Sequence, residues 1–193
     1  MTAARRTDVA VIGAGPVGLL LALILGRHGR RVDVLERQAR PYGRPRAVHL
    51  DHESARILQS AGVMTDLEAR TEPMDAYEWR NADGATLLRI GVEGAPGVSG
   101  WPPSLMFSQP ELEAILETAV AALDHVVVRR AWRVTGLDDR PDAVAVHAVG
   151  PGDDPVVVEA DWVIGCDGAG STVRDVTGLA LTDTGASFRW FVV

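Results

Sequence analysis

The chain has 193 residues, 47% of them hydrophobic, with a formal net charge of −7 and a pI near 5.2. That apolar content supplies a core for one domain or one and a half and excludes bulk disorder, while the acidic balance argues against nucleic acid and anionic membranes as partners. A single cysteine, Cys166, excludes an internal disulfide and fits a reducing cytoplasm.

The first predicted strand, Thr7 to Ile12, is apolar enough to be buried on both faces of a parallel sheet. It runs into Gly13, Gly15 and Gly18, spaced G-x-G-x-x-G, and an apolar helical stretch follows to Leu25. Gly29 stops that helix, and a second strand, Arg31 to Leu35, delivers Glu36, 18 residues past Gly18. Strand, turn, helix, strand and acid in this order make a dinucleotide-binding fingerprint. Gly13 permits the tight turn, Gly15 lets a pyrophosphate approach the backbone, and Gly18 lets the helix pack closely. The helix start offers free N–H groups and a positive dipole end to phosphates. The Glu36 carboxylate can accept hydrogen bonds from ribose hydroxyls and would repel a 2′-phosphate. Residues 9–26 are uncharged, but the glycines and Pro16 break them at the fingerprint positions, which argues against a membrane span or signal sequence.

A basic loop, RQARPYGRPRAV, follows Glu36, and a helix from Asp51 as N-cap to Gly62 comes next. Asp75 to Arg80 and Ala85 to Ile90 flank Asp83-Gly84, which reads as a hairpin with a type I′ turn. The loop GVEGAPGVSGWPPS leads to Ser108-Gln109-Pro110-Glu111, a capping-box pattern. Behind it Leu112, Ile115, Leu116, Ala119, Val120 and Leu123 recur at helical spacing. Strands are predicted at His125–Val134, Ala143–Val149, Pro155–Glu159 and Trp162–Gly165, with turns at DDRPD and GPGDD.

After the last of these strands, residues 167–174 read D-G-x-x-S-x-x-R. With the first motif in the form G-x-G-P-x-G, the chain resembles the FAD-dependent aromatic hydroxylases, flavoprotein monooxygenases related to p-hydroxybenzoate hydroxylase. Pro45-Arg46-Ala47 resembles that family's loop near the FAD phosphates, and Gln109 sits where the family has a glutamine close to the flavin. The segments GWPPSLMFSQPELEAIL and FRWFVV are most similar to the branch containing 3-(3-hydroxyphenyl)propionate hydroxylase. The resemblance implies an α/β, Rossmann-like three-layer FAD-binding domain with an inserted antiparallel β-sheet layer that starts a substrate domain. The corresponding boundaries are 1–72 and 105–184 for the FAD-binding segments, 73–104 for the hairpin excursion and 185–193 for the start of the substrate domain. It also implies FAD as cofactor, NADH or NADPH as co-substrate, dioxygen, and a phenolic aromatic substrate. A homo-oligomer stays open. The implied cofactor-binding residues are Gly13, Ala14, Gly15, Pro16, Val17, Gly18, Glu36, Arg37, Arg46, Gln109, Val134, Asp167 and Gly168. The family's third flavin motif, G-D-A-x-H, does not occur in these residues, so the sequence reads as an N-terminal portion with its catalytic residues elsewhere.

Other readings compete. Asp167 could cap a helix starting near Ser171, Arg46 could belong to a solvated surface, and Gln109, just after an N-cap, could face solvent. His49 and His52 lack a convergent His/Cys cluster, so no metal is expected. Cys166 reads as a small core residue, and Ser171 has no triad signature. The five tryptophans form no local stacking platform. Rival functions are a non-catalytic dinucleotide-binding module, an NAD-dependent dehydrogenase or reductase, and a flavin halogenase or isoprenoid-chain reductase.

Overall fold

The computed structural model describes residues 5–92, 96–185 and 187. The strand expected at Phe188–Val193, with Trp190, lies outside the described residues. In chain order the elements are β1 (Arg5–Ile12), α1 (Pro16–Arg27), β2 (Val32–Glu36), β3 (His49–Asp51), α2 (His52–Ser60), α3 (Met64–Glu68), β4 (Glu72–Pro73), β5 (Ala76–Arg80) and β6 (Thr86–Gly91). Then come β7 (Ser104–Met106), α4 (Gln109–Ala121), β8 (Val126–Arg130), β9 (Arg133–Arg140), β10 (Ala143–Val149), β11 (Pro155–Gly165) and α5 (Thr172–Val176).

Six strands form one sheet in the order β8-β2-β1-β11-β10-β9. The first four are parallel and the last two antiparallel. Because side chains alternate between faces, β1 feeds two cores. Val9 and Val11 join Val32 and Val34 of β2, Leu19 and Leu23 of α1, and Leu112, Leu116 and Val120 of α4. Ala10 and Ile12 join Leu35, Val146, Ala148 and Val158 on the opposite face. The sheet's antiparallel end curls back, so that β2 approaches β9 at the far edge of the strand order, over the face opposite α1 and α4. With both faces covered, a strand has no position for a polar residue in water, which explains the uninterrupted apolar run of β1.

The expected hairpin forms, as an antiparallel two-stranded ribbon of β5 and β6 outside both cores. Its turn is not type I′. The Gly84 N–H donates to Asn81 O, Gly84 alone in the turn has positive φ (+83°), and Asn81 Oδ1 accepts from the Asp83 and Ala85 amides. That is a three-residue turn with glycine at the left-handed position, chosen because the Asn81 side chain satisfies two amides at once.

Three other expectations change. The predicted strand His125–Val134 breaks at Ala131, whose φ is +60°, into β8 beside β2 and β9 beside β10. The chain has to cross from one layer to the other there. The predicted strands Pro155–Glu159 and Trp162–Gly165 are one, since Ala160 is buried and Asp161 pairs with Arg6 at 2.8 Å instead of ending the strand. The capping box does not close: no side chain caps α4, the Ser108 carbonyl takes the Glu111 and Leu112 amides, and Glu111 pairs with Arg70. Neither α3 nor the small antiparallel sheet β3-β7-β4 was expected from the sequence.

Candidate dinucleotide site

The C-terminal ends of β1, β2 and β11 open onto a cavity of about 450 Å³. This is where an open α/β sheet gathers loops and helix N-termini. Two glycine turns frame it. Gly13 has φ +106°, and a Cβ there would stand 2.4 Å from the Cys166 carbonyl oxygen. A Cβ on Gly18 would stand 2.0 Å from the Gly13 carbonyl oxygen. Both glycines are therefore required by backbone packing. Gly15 differs: its backbone is extended, and a Cβ would meet nothing within 4 Å. The space in front of it is free for a ligand. Gly15 is also the N-cap of α1, which no side chain caps, so the amides of the first turn stay available for an anion. Pro16 at the helix start removes one N–H that would have needed a partner.

Glu36, at the tip of β2, lines the cavity with its carboxylate already anchored. Oε2 accepts from the Ala14 amide at 2.8 Å and Oε1 from the Gln38 amide at 2.7 Å. Each oxygen keeps a second acceptor direction. The acid thus ties the first glycine turn to the strand tip and still faces the cavity.

Arg46 lines the cavity with its guanidinium 4.3 Å from the Tyr42 ring centroid. Its backbone is fixed from α4: Gln109 Oε1 accepts from the Arg46 and Ala47 amides at 3.0 and 2.9 Å, and Gln109 Nε2 donates to Glu113 Oε1 at 2.7 Å. Gln109 is buried, not solvent-facing, and lies outside the cavity lining. Its chemistry is to pin the basic loop.

Asp167 does two things. It lines the cavity, and it caps α5 by accepting from Ser171 Oγ (2.6 Å) and the Val173 amide (3.2 Å). Ser171 in turn accepts from the Arg174 amide, and Arg174 donates to the Ala169 carbonyl, so the polar residues of D-G-x-x-S-x-x-R fold the loop on itself. Cys166 is half-buried, and burial together with the neighbouring Asp167 carboxylate pushes its thiol pKa up, which suits an inert side chain.

Of the residues expected at a cofactor, Gly13, Gly15, Pro16, Val17, Glu36, Arg37, Arg46, Val134, Asp167 and Gly168 all line this one cavity. Ala14, Gly18 and Gln109 do not, and act through the backbone contacts just given. Leu35, Gln38, Tyr42, Trp132, Arg133 and Thr172 line it unforeseen. Tyr42 could have been read from its place among four arginines. Trp132 carried no signal, because the strand it was assigned to turned out to be two. Among the described residues no group of His, Cys, Asp and Glu could hold a metal, and His49 instead packs edge-on against Tyr77.

The model of a family described as FAD binding domain matches residues 6–193. A probable NADH-specific resorcinol 4-hydroxylase of Rhodococcus jostii RHA1 is 38% identical over 189 residues, 97% of this chain and 36% of the relative. A 3-(3-hydroxy-phenyl)propionate/3-hydroxycinnamic acid hydroxylase of Mycolicibacterium smegmatis is 36% identical over 193 residues, 100% of this chain and 34% of that one. The chain thus spans about a third of the length of these curated relatives. Among solved structures, p-nitrophenol 4-monooxygenase of Pseudomonas putida DLL-E4 superposes with a TM-score of 0.83 at 30% identity, covering 90% of this chain and 44% of that one. The flavin-dependent monooxygenase PieE, solved with FAD and substrate, gives 0.79 at 26% identity, covering 90% and 32%.

Proposed function

The chain belongs to the FAD binding domain family, and from that premise we propose that it holds FAD in the cavity between its two glycine turns, as the N-terminal part of an NAD(P)H-dependent hydroxylase of phenolic rings. The observation that carries the reading is Gly15: an open approach to the backbone, at an uncapped helix start, beside an anchored carboxylate. Gly15 and the first turn of α1 would hold the pyrophosphate, since their amides and the helix dipole favour negative charge. Glu36 takes the ribose hydroxyls on its remaining acceptor directions, and Arg46 faces a phosphate through its planar fork. Asp167 and Gly168 border the opposite rim.

FAD, when bound, supplies the redox chemistry by which dioxygen and NAD(P)H lead to ring hydroxylation. What these residues contribute is holding, orientation and a fixed backbone around the cofactor. The activities of the relatives, on resorcinol and on hydroxyphenylpropionate, are the reason for assigning a phenolic substrate. Segments 1–72 and 105–184 form the FAD-binding part in this reading, 73–104 reaches toward the substrate, and 185–193 opens the substrate domain.

The test is to purify the chain, measure the visible flavin band, and weigh the released chromophore. The parent carries FAD. Gly15→Val unfolds as cooperatively as the parent, since nothing obstructs its side chain, and retains no flavin. A valine variant that keeps FAD with parental affinity overturns this placement.

A further inference from the structure

Behind the cavity wall lies a group that the FAD contacts above leave without a task. Asp33 of β2 is 1% exposed, a charged residue on a face otherwise filled by apolar side chains. Arg129 of β8 brings its Nε within 3.5 Å of Asp33 Oδ2, longer than a hydrogen bond, and that Nε is buried with no hydrogen-bond partner. A buried ion pair of this geometry adds little net stability, because desolvation cancels most of the attraction. Its guanidinium is spent elsewhere: it lies 4.8 Å from the ring centroid of Trp132, a residue that lines the cavity.

Trp132 is also placed from its backbone. Ala131 before it holds φ +60°, a left-handed conformation that a non-glycine residue rarely adopts. Strain of this kind persists where the surroundings impose it, often next to a ligand. The Trp132 amide donates to the Glu36 carbonyl at 2.9 Å, so the indole belongs to the end of the cavity where the acid sits. Gly150 lies beside the ring's edge, where a Cβ would make ordinary van der Waals contact with Trp132 at 3.7 Å.

We infer that Trp132 is the wall against which the purine of the adenosine end stacks, and that Arg129, fixed by Asp33, is the positioning residue that keeps the indole in place. The inference rests on the FAD reading above and deepens it. A planar base and an indole stack through their faces, and the guanidinium packed on the ring restrains it before the base arrives. Arg129 packs over the ring and is outside the cavity lining.

Calorimetric titration of the flavin-stripped chain with ADP and UDP decides the matter, because the two share ribose and pyrophosphate and differ in the base. The parent favours ADP by several-fold. Trp132→Leu, which keeps an apolar side chain, weakens ADP by roughly tenfold and UDP much less, so the preference collapses. Trp132→Phe restores most of it. Asp33→Asn combined with Arg129→Met, which removes the pair without stranding a charge, lowers the ADP preference by a smaller factor while circular dichroism stays parental. As a second measurement, ADP alters tryptophan emission in the parent and not in Trp132→Phe. This arm stands even where the leucine variant fails to fold. Equal losses for ADP and UDP, or no loss with emission still responding in Trp132→Phe, overturn the inference and leave the FAD reading standing. A parent chain that binds neither FAD nor ADP overturns both.

Discussion

Strands β1 and β5 both carry large residues that favour strands, aliphatic in the first and aromatic in the second, and have opposite fates. In β1, Val9, Ala10, Val11 and Ile12 are at most 6% exposed. In the β5–β6 ribbon, Tyr77, Trp79, Leu88 and Ile90 are 40–58% exposed although they share one face, Tyr77 opposite Ile90 and Trp79 opposite Leu88. The other face carries Glu78 bridged to Arg80 and Arg89. Strand propensity therefore does not decide burial; the number of layers that reach a strand does. The buried region holds the glycine turns rigidly, while the ribbon keeps an apolar face open.

Four experiments bear on that contrast. The largest effect is expected from Gly18→Ala. Its new methyl would stand 2.0 Å from the Gly13 carbonyl, a backbone atom that cannot swing aside. Loss of cooperative urea unfolding, or destabilisation of about 3 kcal/mol or more, is the expected outcome. A variant within ~0.5 kcal/mol of the parent would mean that the turn is softer than its geometry implies.

Next comes the matched pair Leu19→Ala and Leu87→Ala. Leu19 is 0% exposed in the helix-side core and should cost about 2–5 kcal/mol, whereas Leu87, 68% exposed, should cost under ~0.5 kcal/mol. Comparable losses would place the ribbon inside the cooperative core and erase the distinction.

Asn81→Ala removes the side chain that accepts two turn amides. With each bond contributing roughly 0.5–1.5 kcal/mol, amide exchange across residues 76–91 should accelerate about fivefold or more. Exchange across residues 5–36, slower from the start, should not change. Acceleration in both segments would mean that they open together.

The smallest effect concerns Asp8. Its carboxyl pKa is held below the ordinary carboxylate value, first by the side-chain hydrogen bond from Arg31 and then by the Arg31 backbone amide. A depressed folded pKa adds stability that is complete above the unfolded value of about 4 and is lost as the pH falls through the folded one. Asp8→Asn should therefore flatten the acid limb of the stability curve and change little near neutrality beyond a small constant offset. Much of the Arg31 side chain is in water, so the increment is slight. An acid limb identical in parent and variant removes the role.

The sequence made the first 36 residues legible because every constraint there is local: glycines at fixed spacing, an apolar run, an acid at the strand tip. The stripe from Leu112 to Leu123 and the N-cap Asp51, which accepts from the Ser54 amide, were equally local. Where a partner far along the chain decides, reading failed. Ser108 fits a capping box, yet the helix start is organised by Gln109 gripping a loop 62 residues away. The break at Ala131 answers to layer geometry that no neighbouring residue announces. Asp161 fell in a gap between two predicted strands because the pattern cannot show that Arg6 lies beside it. At the site, the types and positions of the lining residues were largely readable, while the brace of Asp33, Arg129 and Trp132 was not, since it joins β2, β8 and the short link between β8 and β9.

The contact between Gly13 and the Cys166 carbonyl has a consequence for how the protein is made. The first turn is moulded against a backbone atom more than a hundred residues further along, just past the end of β11, the strand that fills the gap between β1 and β10. At about 5–20 residues per second, roughly 8–30 s of synthesis separate the two. During that interval β1 has an unpaired edge and the phosphate turn lacks its far wall. A nascent chain that stops before β11 can fold α1 onto β1 and β2, yet it cannot assemble the cavity. The cavity is thus complete only once residues 166–172 have emerged, and any ligand it holds is expected to load after that point.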